Sequence, residues 1–126
     1  MFDHASLGVA NFDRAKAFYD AALKPLGYHC VMAFDGVAAY GASPEQPQLW
    51  IGQAKGEPVA PAAGSHIAFS APDRPAVDAF HKAALAAGGR DNGAPGLRPH
   101  YHPDYYGAFV IDPDGHRIEA VCHRPG

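Results

Sequence analysis

The sequence predicts an α+β protein made of two tandem β-α-β-β-β modules, and three observations support this class. The segment around His4 recurs around His66, 62 residues later, and the helix that follows each segment keeps this offset. The back halves of the two segments also align, at an offset of 69 residues that assigns seven extra residues to a loop of the second copy. In each copy, one helical pattern separates one strand pattern from later ones. A fixed self-similarity indicates two copies of one supersecondary unit.

Module 1, at about 1–54, opens with a half-buried strand over 2–9, whose small and polar face includes His4. Asn11 is typical of a helix cap, and the helix is expected to run to about Leu26, where Pro25 and Gly27 end it. Its apolar residues follow the helical spacing at positions 15, 18, 19, 22 and 23. Three strands are predicted next, over 28–34, 37–41 and 48–53, with a hairpin turn at 35–36.

Residues 55–64 are rich in Pro, Gly and Ala, which indicates a linker within one domain that spans 1–126. Module 2, at about 65–126, opens with the His66 strand, followed by a helix that Asp73 caps and that Gly88-Gly89 end. Residues 93–104 have no clear periodicity and are expected to be irregular. Two strands, 105–111 and 116–123, close the chain around a turn at 112–115.

Composition restricts the classes of partner. The net charge is −3 and no basic stripe is present, which argues against nucleic acid or an anionic membrane surface as a partner. No long apolar run and no leader-like segment is present, so a cytoplasmic location is expected. The two cysteines, Cys30 and Cys122, lack metal or redox spacing and are expected to be reduced. The chain has eight histidines, and the imidazole side chain can serve both as a metal ligand and as a proton carrier near neutral pH.

One constellation could bind a metal ion. Strand alternation places Glu119 on the face opposite Ile118 and Ala120, so if that apolar face packs on the helix, Glu119 points into the same cup as His4 and His66. Two imidazoles and one carboxylate form the facial ligand set that leaves coordination sites open for substrate or oxygen. Each of these residues alone is more typical of a surface or hydrogen-bonded side chain, and Glu119 could instead pair with Arg117.

The chain resembles the vicinal oxygen chelate superfamily, which includes glyoxalases, bleomycin-resistance proteins and extradiol dioxygenases. The resemblance covers essentially the whole chain and is carried by His4, by residues 11–26 (NFDRAKAFYDAALKPL), by His66 and by residues 109–119 (FVIDPDGHRIE). It implies a cupped mixed sheet with the helices outside. It also implies a divalent metal ion (Fe, Mn, Zn or Ni) held by His4, His66 and Glu119, which chelates vicinal oxygens of a small-molecule substrate. Relatives of this length are mostly homodimers, in which the modules pair either within one chain or across a swapped dimer.

The resemblance leaves several activities open. Glyoxalase I and methylmalonyl-CoA epimerase use a fourth ligand at the place where the duplication puts Trp50. Extradiol dioxygenases use His, His and Glu, but their signature tyrosine falls on Phe109. Fosfomycin-resistance thiol transferases also use three such ligands and are about this short. A different class is also possible, a metal-free protein of the bleomycin-resistance type that sequesters a drug or metabolite.

The loop over 100–106 (HYHPDYY) is the expected source of specificity. Glu119 and one of His100, His102 or Tyr105 are the candidate groups that move protons beside the metal. The candidate walls of the substrate pocket are Tyr40, Trp50 and Tyr106. The other four histidines are interpreted as structural or surface residues, at positions 29, 81, 116 and 123.

Overall fold

The computed structural model describes residues 1–126 and contains eight strands and two α-helices. Module 1 comprises β1 (Ala5–Val9), α1 (Phe12–Leu23), β2 (His29–Phe34), β3 (Val37–Gly41) and β4 (Leu49–Gln53). Module 2 comprises β5 (His66–Ser70), α2 (Arg74–Ala86), β6 (Arg90–Leu97), β7 (Tyr106–Ile111) and β8 (Arg117–Cys122). A 3₁₀ turn over Lys24–Leu26 follows α1. The order of elements is therefore the same in both modules.

Each module forms one four-stranded mixed sheet, and the two sheets have the same topology. The strand orders are β1-β4-β3-β2 and β5-β8-β7-β6. In each sheet the first strand pairs parallel with the last, and the remaining pairs are antiparallel. The α+β class and the twofold β-α-β-β-β repeat predicted from the sequence are confirmed.

The helices begin at the two predicted caps. The backbone N–H of Arg14 donates to the Asn11 side chain at 3.1 Å, and that of Ala76 donates to Asp73 at 2.8 Å. Such caps satisfy N–H groups that have no partner within the helix. The first helix ends three residues earlier than expected, because Pro25 cannot donate the next helical hydrogen bond, and Gly27 at φ 89° completes the turn. Neither helix is long and apolar enough to cross a membrane.

One hydrophobic core is shared by both modules. Each helix covers one face of its own sheet, and α1 and α2 also pack against each other. The predicted parity of β8 is confirmed, since Ile118, Ala120 and Cys122 lie in this core. Because side chains alternate along a strand, Glu119 lies on the opposite face of the sheet. Burying both helix-facing sides in one core leaves the other face of each sheet without a helix.

Residues 93–104 were expected to be irregular, and this prediction is wrong for the first half of the segment. Strand β6 extends to Leu97 and pairs antiparallel with β7. Its pairing shifts register twice between Asp91 and Gly96, and Gly93 has a φ of 151° that favours glycine. Bulges remove the two-residue periodicity by which a strand is detected in a sequence. The irregular loop is therefore shorter, at residues 98–105.

A buried hydrogen bond joins the modules. The hydroxyl of Tyr19, on α1, donates to Oδ2 of Asp112 at 2.5 Å. Oδ1 of Asp112 accepts the backbone N–H groups of Asp114 and His116, so the carboxylate is fully satisfied although it is only 2% exposed. Burial and the neighbouring Asp112 raise the pKa of Tyr19 well above its ordinary value, so the hydroxyl keeps its proton at neutral pH.

We expect Tyr19→Phe to destabilise the protein by about 1.5–3 kcal/mol, because it leaves one oxygen of a buried carboxylate without its donor. The measurement is urea unfolding, in which the midpoint should fall while the slope is unchanged. Tyr106→Phe is the matched control, since it removes a hydroxyl that donates to the exposed Asp78. An equal loss in both variants would contradict a special role for the Tyr19–Asp112 bond.

Candidate functional site

A histidine and a glutamate meet on the helix-free face of the second sheet. In the parallel pairing of β5 with β8, Ala68 lies beside Glu119, so His66 reaches Glu119 diagonally. Nε2 of His66 lies 3.1 Å from Oε1 of Glu119. The Glu119 side chain is 1% exposed and that of His66 is 47% exposed. Arg117, the alternative partner, makes no ion pair with Glu119, so this buried carboxylate has no lysine or arginine to balance it.

Tyr105 holds the second oxygen of the same carboxylate. Its hydroxyl donates to Oε2 of Glu119, across the position of Gly107, where a Cβ would lie 3.2 Å from Oε2. Burial and the hydrogen bond to Glu119 raise the pKa of Tyr105 above its ordinary value. Tyr105 therefore remains a proton donor at neutral pH and fixes the orientation of the carboxylate.

His4, the third candidate ligand, lies on the helix-free face of the first sheet. Its Nδ1 is 2.6 Å from Oδ1 of Asp3, and its ring meets Trp50 edge-on at 6.4 Å between centroids. One chain holds no group of three His, Cys, Asp or Glu side chains suited to a metal ion. The expectation that all three donors share one cup is therefore not met within a single chain. No hydrogen bond or ion pair joins His4 to His66 or Glu119.

Comparisons with known proteins decide the family. A family model described as the glyoxalase/bleomycin resistance protein/dioxygenase superfamily matches residues 1–120. The chain belongs to this superfamily. A crystal structure described as a glyoxalase/bleomycin resistance protein from Albidiferax ferrireducens is 35% identical, with a TM-score of 0.88 over 97% of this chain and 98% of that one.

Two further structures share the fold at lower identity. A superfamily enzyme from Burkholderia phytofirmans is 15% identical, with a TM-score of 0.71 over 97% of this chain and 98% of that one. A glyoxalase I variant from Zea mays is 23% identical, with a TM-score of 0.72 over 95% of this chain but 46% of that one. No curated protein sequence matches the chain. The superfamily includes glyoxalase I and dioxygenase enzymes.

Two of the three predicted donors, His66 and Glu119, lie close enough to share one metal ion, and no third donor joins them within the chain. Two ligands at right angles and about 2.1 Å from one ion lie about 3.0 Å apart, which matches the His66–Glu119 separation of 3.1 Å. In the neutral His4 ring, the contact with Asp3 keeps the proton on Nδ1 and leaves the lone pair of Nε2 free. Metal-bound histidines commonly donate their other N–H to a carboxylate in this way. Asp3 is therefore a candidate orienting residue, which sequence reasoning did not identify.

The loop over residues 98–105 carries a row of aromatic rings that ends at Tyr105, the residue in contact with Glu119. Tyr101 packs edge-on against Tyr105 at 5.1 Å between ring centroids, and His100 packs on Tyr101 at 4.2 Å. The backbone N–H of Asp104 donates to Nδ1 of His102. His100 and His102 make no contact with Glu119, whereas Tyr105 does. Of the three predicted proton carriers, the structure brings only Tyr105 to the carboxylate.

His123, which the sequence predicts to be a structural or surface residue, is exposed and packs beside the loop. Its ring packs edge-on against Tyr105 at 5.1 Å and against His102 at 5.6 Å. It follows β8 directly, four residues after Glu119. It therefore lies beside Tyr105, which donates a hydrogen bond to Glu119.

Two of the predicted pocket walls face away from the site. Tyr40 is fully buried on the helix side, where its hydroxyl donates to Oδ1 of Asp20 at 2.8 Å. The Tyr106 hydroxyl donates to Asp78 on α2 at 2.6 Å. Both tyrosines alternate along their strands with residues of the helix-free face, so their side chains lie on the opposite face. Trp50, the third predicted wall, lies on the same face as His4.

Proposed function

We propose that this protein is a divalent-metal-dependent enzyme, glyoxalase-like or dioxygenase-like, that acts on a small substrate with vicinal oxygens. The observation that carries the proposal is the buried Glu119 carboxylate, whose oxygens meet the His66 imidazole and the Tyr105 hydroxyl and no fixed positive charge. Burying an ionised carboxylate without a cation is costly. A bound divalent ion would balance this charge where no arginine or lysine does.

His4 completes the proposed site from a partner subunit. A homodimer in which the first sheet of one protomer faces the second sheet of the other would bring His4 to His66 and Glu119. The same twofold axis would build two equal sites. The helix-free face of each sheet supports this arrangement, because within one chain nothing larger than a loop covers it.

The proposed ligand set determines the chemistry. A divalent ion such as Fe, Mn, Zn or Ni would act as a Lewis acid that polarises substrate oxygens. Asp3 would orient His4, and Tyr105 would hold Glu119 in position while keeping its own proton available to a substrate oxygen. The aromatic loop above Glu119 would exclude water from the reacting atoms.

The register of the two sheets favours a three-ligand reaction. Trp50 lies beside Ser6 in the first sheet as Glu119 lies beside Ala68 in the second, so the two positions are equivalent. An indole can neither bind a metal ion nor take a proton from carbon. The site therefore lacks the second carboxylate of glyoxalase I, which supports a dioxygenase-like or other three-ligand reaction over that activity.

The test is the metal content of the homodimer purified without chelator. We expect about one divalent transition-metal ion per chain by mass spectrometry, removable by EDTA and restored by adding the ion back. Protein that holds no metal as purified, and takes up none when the ion is added, would contradict the proposal. That outcome would favour the second candidate, sequestration of a drug or metabolite, to which Trp50 on an open face is also suited.

A further inference from the structure

Two glycines on the face of Trp50 have no structural reason to be glycine. For twelve of the chain's fourteen glycines, either φ is left-handed or a Cβ would meet an atom within 3.5 Å. Gly8 and Gly52 are the exceptions, with no left-handed φ and no atom within 4 Å of a Cβ built on them. Glycine in a strand interior weakens the strand, so its use at both positions calls for another cause.

The two glycines lie side by side. Gly8 on β1 pairs with Gly52 on β4, and Gly52 pairs in turn with Val37 on β3. Directly paired residues point to the same face, which is also the face of Trp50 and His4. The backbone is therefore bare over two adjacent strands, next to an indole ring and a candidate metal ligand.

This bare area is the floor of a trough of about 610 Å³. Trp50 and Val37 line it on the sheet, and the linker residues Pro58 and Pro61 line it from above. The charged residues that line it, Lys55 and Glu57, have opposite signs and offer no net charge to an ionic ligand. A flat floor of peptide groups beside an indole and proline rings suits a planar apolar group, since aromatic rings stack against such surfaces.

We propose that this trough binds the planar, aromatic body of the substrate, and that Gly8 and Gly52 are the residues that select for flatness. The inference rests on the proposed function, in that His4 on the same face would place the substrate's oxygens beside the metal. The contacts of the planar body, however, need no metal. A side chain at either glycine would rise from the floor and lift a ring off the sheet.

The experiment uses metal-free homodimer in EDTA and a pair of probes, 2-naphthol and its saturated counterpart decahydro-2-naphthol. Trp50 is the only tryptophan, so its indole N–H gives one assigned signal in a ¹H–¹⁵N NMR spectrum. We expect 2-naphthol to shift this signal saturably and to bind at least about tenfold more tightly than the puckered probe. Gly52→Val should weaken 2-naphthol binding by at least about tenfold, and Gly8→Val should act in the same direction.

Ala42→Val is the matched control, because it also introduces a valine, at an exposed position outside the trough. It should leave binding unchanged. The Gly52→Val protein should melt at the same or a higher temperature, since valine favours a strand more than glycine does. Lost binding would then not reflect unfolding.

Equal binding of the two probes, or full binding by Gly52→Val, would overturn the proposal. A Gly52→Val protein that binds 2-naphthol but no longer dimerises would overturn it too, and would assign the glycines to the subunit interface. Because metal is absent throughout, a failed metal assay would not alter any of these results.

Discussion

Glu119→Gln is expected to empty the metal site while leaving the fold intact. Glutamine has the same shape, can still accept the Tyr105 hydrogen bond and can still meet His66, so the buried contacts persist. It lacks the negative charge that a divalent ion needs from this ligand set. Losing a partner outside the ligand shell typically reduces metal affinity about 10–100-fold, and losing the charged ligand itself should reduce it further. The measurement is metal content after purification, with the affinity of the refilled protein.

The chain contains its own control for this experiment. His81 and Asp91 form a second histidine–carboxylate pair, at 3.0 Å between Nε2 and Oδ1, but on the solvent-exposed side of α2 and β6. Asp91→Asn makes the same change of charge and should leave metal content at the wild-type level. A Glu119→Gln protein that keeps its metal would mean that the carboxylate was assigned wrongly. Equal losses in both variants would indicate a general electrostatic effect.

Where alternation along the chain is regular, the sequence predicted the fold and the position of the buried carboxylate. Ile118, Ala120 and Cys122 are apolar at every second position, which places Glu119 on the other face whatever the rest of the chain does. The duplication then predicted that His66 opens the first strand of the second module, and the structure pairs that strand with the strand of Glu119. Both predictions need only local pattern and the symmetry of the repeat.

The remaining predictions needed information that local pattern does not contain. Tyr40 and Tyr106 were predicted to line the pocket because they are aromatic. Their hydroxyls instead donate to Asp20 and Asp78 on the helices, so both side chains lie on the helix side of their sheets. Strand β6 was obscured because its bulges around Gly93 break the alternation. In the proposed dimer, the place of His4 depends on how two faces of separate subunits meet, and no periodicity within one chain encodes that contact.

Mixed dimers should therefore recover a metal site that neither parent has. His4→Ala and Glu119→Gln homodimers are each expected to be metal-free. In a dimer purified with one chain of each kind, one site joins the intact His4 of the Glu119→Gln chain to the intact Glu119 of the His4→Ala chain. The other site combines both defects. About one ion per dimer is expected if the sites form between subunits, and none if they form within a chain.

The reciprocal mixture separates the two arrangements from the opposite side. When one chain is wild type and the other carries both His4→Ala and Glu119→Gln, each shared site receives one defect, and no metal should bind. Sites within one chain would instead leave the wild-type subunit with its ion. Because His4 is half-exposed and contacts only Asp3 and Trp50, its replacement should not disturb folding. The two mixtures carry the same two substitutions per dimer, so stability, overall charge and metal supply are matched between them. Only the path by which His4 reaches Glu119 differs, and opposite results in the two mixtures can arise only from a site shared between subunits.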